Sequence, residues 1–282
     1  MANTRDLKRR IKSVKNTSQI TKVMEMVAAT KMKRAQNQAL SSRPYSENLS
    51  EALARLLPKI NIESHPLLSR NKSDKTGVIL LSTDKGLVGA LNTNLMRSVI
   101  SLTASFYTVG KKGRVFIART GKDLKADFEN EDTVTFRQAK QLAKMITEAY
   151  LAKDLGEVYL VYPQFVSTLK QEAKKKKILP IDPVILNVSE GSRSLSANEF
   201  LFEPNVDSLL DFILIHQVEE QIYQALLETK ASEHSARMVA MKNATDNAKD
   251  LVEDLQLNYN QTRQDAITRE ILEIASASAA MG

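Results

Sequence analysis

The chain has 282 residues, of which 43% are hydrophobic and 26% charged, a composition typical of a folded globular protein. It contains no cysteine, which excludes disulfides, thiolate zinc sites and cysteine nucleophiles together. No window approaches the roughly 18 consecutive apolar residues of a membrane span, so the sequence predicts no transmembrane segment.

Glycine and proline, the residues that break helices, are confined to the middle of the chain. All seven prolines lie between Pro44 and Pro204, and every glycine except Gly282 lies between Gly77 and Gly191. The average helix of a globular protein has about 11–12 residues, and the two segments without helix breakers are several times longer. The distribution therefore predicts two long helical arms that flank an α/β middle.

The two arms carry opposite charge, although the formal net charge of the whole chain is only +7. Residues 1–43 contain 11 Lys and Arg against Asp6 and Glu25, whereas residues 205–282 contain 6 basic and 13 acidic side chains. Each arm is therefore the first candidate partner of the other. Nucleic acid is the second candidate for the basic arm, and the acidic arm argues against it.

The N-terminal arm has apolar residues at helical spacing, and Pro44 predicts a break in the helix. A second apolar set continues the helical pattern from Leu49 to Leu57, and residues 58–75 are expected to form a loop. We place the N-terminal helix at 1–57. The apolar positions of its first part are Leu7, Ile11, Val14, Ile20, Val23, Met24 and Val27.

From residue 76 to residue 204 the apolar residues form short runs separated by turn residues, which is typical of strands. Alternation of such strands with helices predicts a mostly parallel sheet covered by helices. The run Lys174–Lys177 is expected to be a solvated loop. The predicted strands are Gly77–Leu81, Arg114–Ala118, Val134–Phe136 and Glu157–Tyr162, with edge strands at Ile181–Val188 and Phe200–Phe202. The predicted helices are Leu87–Phe106, Lys122–Phe128 and Lys140–Leu155.

The C-terminal arm, 205–282, predicts a helix that begins after Pro204 and is about 100 Å long at roughly 1.5 Å per residue. Such a helix is longer than a single domain, and its apolar stripe needs a partner. Spacings of three and four recur with slips, which favours an irregular coiled coil. After Glu273 there is no charge, which fits either a slim tip inside an apolar sleeve or a frayed end. Its middle apolar and small positions are Met238, Met241, Ala244, Ala248, Leu251, Leu255, Asn258 and Thr262.

The segment Ser82–Asn92 is the most enzyme-like part of the chain, because a strand, a glycine turn and a helix N-terminus can bind phosphate. Only Gly86 and Gly89 match, and they also suit a tight turn with close helix–sheet packing. His216 is expected to form a solvated helical pair with Glu220. The sequence offers no catalytic constellation, and a nucleotide-binding enzyme remains the alternative to an interaction protein.

Four blocks of the sequence resemble the γ subunit of F-type ATP synthases, and they follow the order of that family along the whole chain. The blocks are Ile20–Met32 (ITKVMEMVAATKM), Ser82–Leu95 (STDKGLVGALNTNL), Ala236–Ala248 (ARMVAMKNATDNA) and Tyr259–Ile271 (YNQTRQDAITREI).

The resemblance implies an antiparallel coiled coil of the N- and C-terminal helices and a Rossmann-like middle domain at 76–204. It implies a rotor that turns inside a hexamer of α and β subunits and couples a proton- or Na⁺-driven c-subunit ring to ATP synthesis or hydrolysis. Chemistry would take place in the β subunits, so this chain would have no catalytic residue, metal site or cofactor. The implied partners are the α, β and ε subunits and the c ring, with membrane contact only through the complex and no nucleic acid.

The resemblance also implies site residues. The positions expected to contact the β subunits, or to support that coupling, are Lys22, Met24, Arg237, Gln264, Thr268 and Glu270. The positions expected to contact the ε subunit and the c ring are Phe200, Phe202 and Glu203. Because no transit segment is evident, the expected location is the cytoplasmic face of a bacterial plasma membrane, as a peripheral protein that takes part in hydrogen ion transport.

Overall fold

A computed structural model describes residues 4–56, 65–181 and 206–281 of the chain. They form two compact units: the first combines the residues up to Ala29 with those from Arg237 onward, and the second extends from Thr30 to Ala236. The predicted edge strand Phe200–Phe202 and all but the first residue of the predicted strand Ile181–Val188 lie outside the described residues.

Two long helices supply the arms. Helix α1 spans Thr4–Leu56 and helix α5 spans Val206–Met281, and each contributes residues to both units. The break predicted at Pro44 is wrong, because α1 continues through it. Side-chain hydrogen bonds to α5 lie on both sides of the proline, from Ser42 to Gln224 at 2.7 Å and between Tyr45 and His216 at 2.6 Å. Such tertiary contacts offset the cost of about 3 kcal/mol that a proline imposes on a helix interior.

The second unit contains a five-stranded sheet in the order β3-β2-β1-β4-β5. Strand β1 lies at the centre and pairs in parallel with β2 and β4, β2 pairs in parallel with β3, and β4 pairs antiparallel with β5. The prediction of a mostly parallel sheet is therefore confirmed. The strands are β1 Thr76–Leu81, β2 Ser105–Val109, β3 Asp123–Phe128, β4 Glu157–Phe165 and β5 Gln171–Leu179, and the shorter helices are α2 Leu91–Val99, α3 Lys111–Arg119 and α4 Phe136–Leu151.

Both faces of the sheet are covered, which explains why β1 reads as a continuous apolar run. On one face Ile79 and Leu81 belong to a core cluster with α4 and with Leu214, Val218 and Ile222 of α5. On the other face Val78 and Leu80 belong to a cluster with residues of α2 and α3. The beginning of α5 is thus a core helix of the α/β unit.

Three predictions between residues 87 and 128 assigned the wrong element. The helix predicted at Leu87–Phe106 is limited to α2, and its last residues belong to β2. The strand predicted at Arg114–Ala118 lies within α3, where Gly113 and Ile117, four residues apart, are the buried positions. The helix predicted at Lys122–Phe128 is β3, whose side chains alternate between exposed and half-buried. In these short segments tertiary packing overrides the local pattern.

Two further predictions missed the sheet edge and the start of α4. The segment Val134–Phe136 is not a strand, because Val134 is a buried loop residue and Phe136 begins α4. The run Lys174–Lys177 is part of β5 rather than a solvated loop. The neighbouring strand β4 supplies its partners: the Lys175 ammonium lies 3.9 Å from the centre of the Tyr159 ring, and Lys177 forms an ion pair with Glu157 at 3.3 Å.

Candidate interaction surface

In the first unit, α1 and α5 form an antiparallel helix pair. The hydroxyl groups of Thr21 and Thr245 are 2.8 Å apart. Further along the pair, one groove of about 400 Å³ is lined by Lys8, Ile11, Gln256, Tyr259 and Asn260. As residue numbers fall along α1 they rise along α5, so the two helices run in opposite directions. The packing that the family resemblance implied for the two arms is therefore present.

The seam of this pair follows a regular seven-residue repeat. Two series of α5 residues occupy it, each at intervals of seven. One is Thr245, Val252 and Tyr259, and the other is Met241, Ala248, Leu255 and Thr262. The seam has no slip within this segment, and Leu251 and Asn258, two of the predicted apolar and small positions, are exposed. On α1 the corresponding buried or half-buried positions are Leu7, Ile11, Val14, Ser18, Thr21, Glu25 and Ala28.

The apolar residues of α1 that are missing from the seam face solvent. Ile20, Val23 and Val27 are between 51% and 61% exposed, and their spacing of three and four places them on one side of the helix. We call these three residues the α1 apolar stripe. An exposed apolar stripe with this spacing indicates a surface that another protein covers.

Three of the six predicted coupling residues lie in the part of the helix pair that carries this stripe. Lys22 forms an ion pair with Glu25 at 3.1 Å, and Met24 is half-buried beside the seam. Arg237 is half-buried on α5, at a level close to that of Met24 in the antiparallel pair. Lys22 and Met24 thus lie on the same turns of α1 as the exposed apolar residues.

The other three predicted coupling residues form a separate group. Gln264, Thr268 and Glu270 are exposed, as is every residue from Arg263 to Ala277. At about 1.5 Å per residue, Thr268 lies roughly 35 Å along the α5 axis from Thr245. The structure therefore does not bring all six predicted residues together. Phe200, Phe202 and Glu203 lie outside the described residues.

In the second unit, the residues just before the glycine turn cap the N-terminus of α3 rather than that of α2, the helix that follows the turn. The Asp84 carboxylate accepts the Lys111 backbone N–H at 2.8 Å, the Thr83 carbonyl accepts that of Lys112 at 3.0 Å, and the Ser82 hydroxyl accepts that of Gly113 at 2.8 Å. These are the first three N–H groups of α3, which would otherwise bind an anion. The N-terminus of α3 is therefore closed to a phosphate group.

The glycines of this turn act differently from the prediction. Gly89 has a positive φ of 54°, which supports a tight turn, but a side chain at Gly86 or Gly89 would meet nothing within 4 Å. Close packing is instead required at Gly110, which has a φ of 94° and abuts the Ser82 carbonyl, and at Gly113. The sequence pattern missed both, because they lie one strand further along the chain.

A group of charged residues that the sequence did not indicate lies beside this turn. The Lys31 ammonium is 3.5 Å from the Asp132 carboxylate, and that lysine is the main cause of the lowered pKa of Asp132. Lys230 of α5 is buried 3.7 Å from Glu233, and burial lowers the pKa of Lys230. The group joins α1, α5 and the loop before α4 within the second unit. Only the fold brings its members together.

The histidines have structural partners. His216 contacts Tyr45 at 2.6 Å and Glu219 at 3.1 Å, so the predicted pairing with Glu220 is wrong. Glu220 is buried, and burial raises its pKa.

No group of three or more His, Asp or Glu side chains suited to a metal ion occurs in the described parts of the chain. No helix in those parts is long and apolar enough to cross a bilayer.

Comparison with known proteins gives concordant results. The family model described as ATP synthase matches residues 3–281. Proteins named ATP synthase gamma chain from Methylacidiphilum infernorum and Opitutus terrae are 45% and 44% identical to this chain; the alignments cover 100% of both chains in the first case and 98% of both in the second.

Solved structures agree with the sequence relatives. A chain of the central stalk and c ring of Tetrahymena thermophila mitochondrial ATP synthase matches with a TM-score of 0.61 and 26% identity, over 80% of this chain and 99% of that one. A chain of the Euglena gracilis mitochondrial assembly of OSCP, F1 and c ring matches with a TM-score of 0.68 and 20% identity, over 99% of this chain and 94% of that one. The second match shows the fold.

The fold and the surface define a class: a protein with an antiparallel helix pair that exposes apolar side chains and an α/β unit in which the residues before the glycine turn cap α3. The sequence relatives make the assignment specific. The chain belongs to the ATP synthase gamma chain family, the central-stalk rotor subunit of that complex and not its catalytic unit.

Proposed function

We propose that this chain couples rotation of a c-subunit ring, driven by protons or Na⁺, to ATP synthesis or hydrolysis in the β subunits. The observation that supports the proposal is the helix pair with the α1 apolar stripe beside Lys22 and Met24. The stripe lies on one side of α1 only, so the pair presents different chemistry to a surrounding protein at each rotation angle. A partner that contacts the stripe can therefore be driven through different states as the pair turns.

The surrounding partners in this proposal are the α and β subunits, and the ε subunit and c ring contact the other end of the rotor. The similar solved chains come from mitochondrial ATP synthase assemblies of the central stalk, F1 and the c ring, which supports this set. Gln264, Thr268 and Glu270 then form a second contact zone, farther along α5 than Lys22, Met24 and Arg237. Phe200, Phe202 and Glu203 remain the proposed contacts with the ε subunit and the c ring.

The location follows from the partners. The ring crosses the membrane, and this chain attaches to it as a peripheral protein at the cytoplasmic face of a bacterial plasma membrane. We also propose a functional division into arms, at 1–57 and 205–282, and a Rossmann-like foot domain at 76–204. The arms act on the α and β subunits, and the foot transmits the rotation of the ring.

Reconstitution with the α and β subunits is the direct test. The chain is expected to support cooperative ATP hydrolysis by the assembled hexamer, and failure to do so would refute the proposal. The alternative, a nucleotide-binding enzyme, is tested by titrating the isolated chain with ATP or NAD. We expect no binding heat, because only Gly86 and Gly89 of a phosphate-binding pattern are present and the Ser82 and Asp84 side chains are engaged with the N–H groups of α3.

The role of Met24 is tested by Met24→Lys in the complete membrane complex. The new cation is expected to attach the helix pair too strongly to the surrounding subunits, so ion pumping per ATP hydrolysed falls. Met24→Leu keeps an apolar side chain and should retain coupling. Leu169→Lys adds the same charge at an exposed hairpin position of the second unit and should also retain it. Unchanged coupling in Met24→Lys would show that Met24 has no coupling role.

A further inference from the structure

The seam of the helix pair contains a hydrogen bond between two buried threonines. Thr21 is 9% exposed and Thr245 is 2% exposed, and their hydroxyl oxygens are 2.8 Å apart. Each hydroxyl is also close to a carbonyl of its own helix: Thr21 lies 3.0 Å from the Ser18 carbonyl, and Thr245 lies 2.8 Å from the Met241 carbonyl. Two hydroxyl protons therefore serve three contacts.

The two hydroxyl protons can be arranged in two ways. In one, Thr21 donates to Thr245, and Thr245 donates to the Met241 carbonyl. In the other, Thr245 donates to Thr21, and Thr21 donates to the Ser18 carbonyl. If the helices separate or slide, each hydroxyl can donate to its own helix, so no buried hydroxyl proton is left without an acceptor. The bond can therefore open and re-form without the full cost of an unsatisfied buried polar group.

We propose that Thr21 and Thr245 are positioning residues that set the rotation of α1 and α5 about their own axes and thereby aim Lys22 and Met24. Successive residues of a helix are separated by about 100°, so a seam that shifts by one residue would swing both side chains by roughly that angle. The shape of the α1 side of the seam discriminates weakly against such a shift near Thr21, because the neighbouring α1 positions Ser18, Glu25 and Ala28 are small or polar. A directional bond between fixed atoms supplies the missing specificity, as single polar residues do in other coiled coils.

The consequence for coupling rests on the proposed function, whereas the positioning role itself does not. Under torque, the latch formed by Thr21 and Thr245 yields and then restores the same setting, so Lys22 and Met24 return to the same direction after each step. A purely apolar seam would hold the helices together without selecting one setting.

Valine has nearly the shape of threonine and lacks the hydroxyl, and serine keeps the hydroxyl, which makes the two substitutions a matched pair.

The experiment measures the setting directly in the assembled complex. The chain has no native cysteine, so Asn16→Cys and Asn247→Cys, both at exposed positions of the two helices, can carry spin labels when the partner subunits are cysteine-free. We expect one narrow distance distribution for the parent chain and for Thr21→Ser/Thr245→Ser. Thr21→Val/Thr245→Val is expected to broaden the distribution or to add a second population, since loss of one typical hydrogen bond lowers the preference for one setting by about fivefold. Thr17→Val, which removes an exposed hydroxyl bonded only within its own helix, is the control and should change nothing.

Two readouts separate the positioning role from the coupling function. An unchanged distance distribution in the double valine variant would overturn the positioning role, and so would a serine variant as broad as the valine variant. In the same complexes, ion pumping per ATP hydrolysed should fall in the valine variant and recover in the serine variant. A broadened distribution with full coupling would refute the link to Lys22 and Met24 and leave the positioning role standing. Loss of hydrolysis in the parent complex would instead count against the proposed function.

Discussion

The helix pair of the first unit has few large side chains in its seam, so removing one of them should loosen it measurably. Leu255 is 6% exposed, whereas Leu257, two residues later on the same helix, is 70% exposed. Leu255→Ala deletes three carbon groups worth about 0.8 kcal/mol each on burial. A seam between only two helices can partly close around the gap, so we expect a loss near the lower end of the usual range, about 2 kcal/mol.

Hydrogen exchange of the isolated full-length chain measures this loss locally. A reduction of about 2 kcal/mol corresponds to a roughly 30-fold faster exchange of amides that open with the seam. The increase should be confined to the first unit, on the α5 turns around Leu255 and on the facing turns of α1. Leu257→Ala removes the same groups from an exposed position and should leave exchange nearly unchanged. Equal effects of the two substitutions would refute the assignment of the seam.

Two further substitutions test the α/β unit. Gly110→Ala should destabilise it by about 3 kcal/mol or more, because Gly110 combines a φ of 94° with contact against the Ser82 carbonyl. Gly86→Ala is the control, since a side chain there meets nothing within 4 Å. Equal urea midpoints of the two variants would contradict the reasoning. Tyr159→Phe should raise the pKa of Glu157, since the hydrogen bond from Tyr159 at 2.8 Å is the main cause of its lowering. A carboxyl with a lowered folded pKa stabilises the fold above its unfolded pKa of 4.5, and that stabilisation is lost as the pH falls through the folded value. NMR titration of the Glu157 carboxyl should show this shift, and an unchanged pKa would show that the Tyr159 bond does not control it.

The long elements could be predicted from the sequence because their signals extend over many residues. The absence of helix breakers predicted both long helices, and continuous apolar runs predicted β1 and β4. Strand β3 and helix α3 were exchanged, because each has fewer than ten residues and too few turns to show its period. Strand β5 was missed because its lysines find their partners, Tyr159 and Glu157, only on the neighbouring strand.

The geometry of the candidate site could not be predicted from the sequence either. Family resemblance supplied the predicted contact residues, but a resemblance carries no distances, so it did not show that they form two groups at different levels of the helix pair. Apolar periodicity grouped Ile20, Val23 and Val27 with Leu7, Ile11 and Val14, but only the latter three lie in the seam, and Ile20, Val23 and Val27 are exposed. Apolar periodicity failed here because Thr21, a polar residue, occupies the seam position in that part of α1.

Exposed apolar residues on α1 and a buried threonine pair in the seam explain how a weakly packed helix pair can function within a large complex. A coiled coil that had to be stable alone would place its β-branched apolar residues between its helices. Here the seam near Thr21 is built from small and polar side chains, which keep the pair slim, and the apolar side chains of the α1 apolar stripe remain available to another protein. The apolar burial that the pair lacks is then supplied by the subunits around it. If the stripe contacts the subunits named under the proposed function, the stability of the arms and that contact are coupled, and a substitution in the stripe should weaken both the assembled complex and the arms within it.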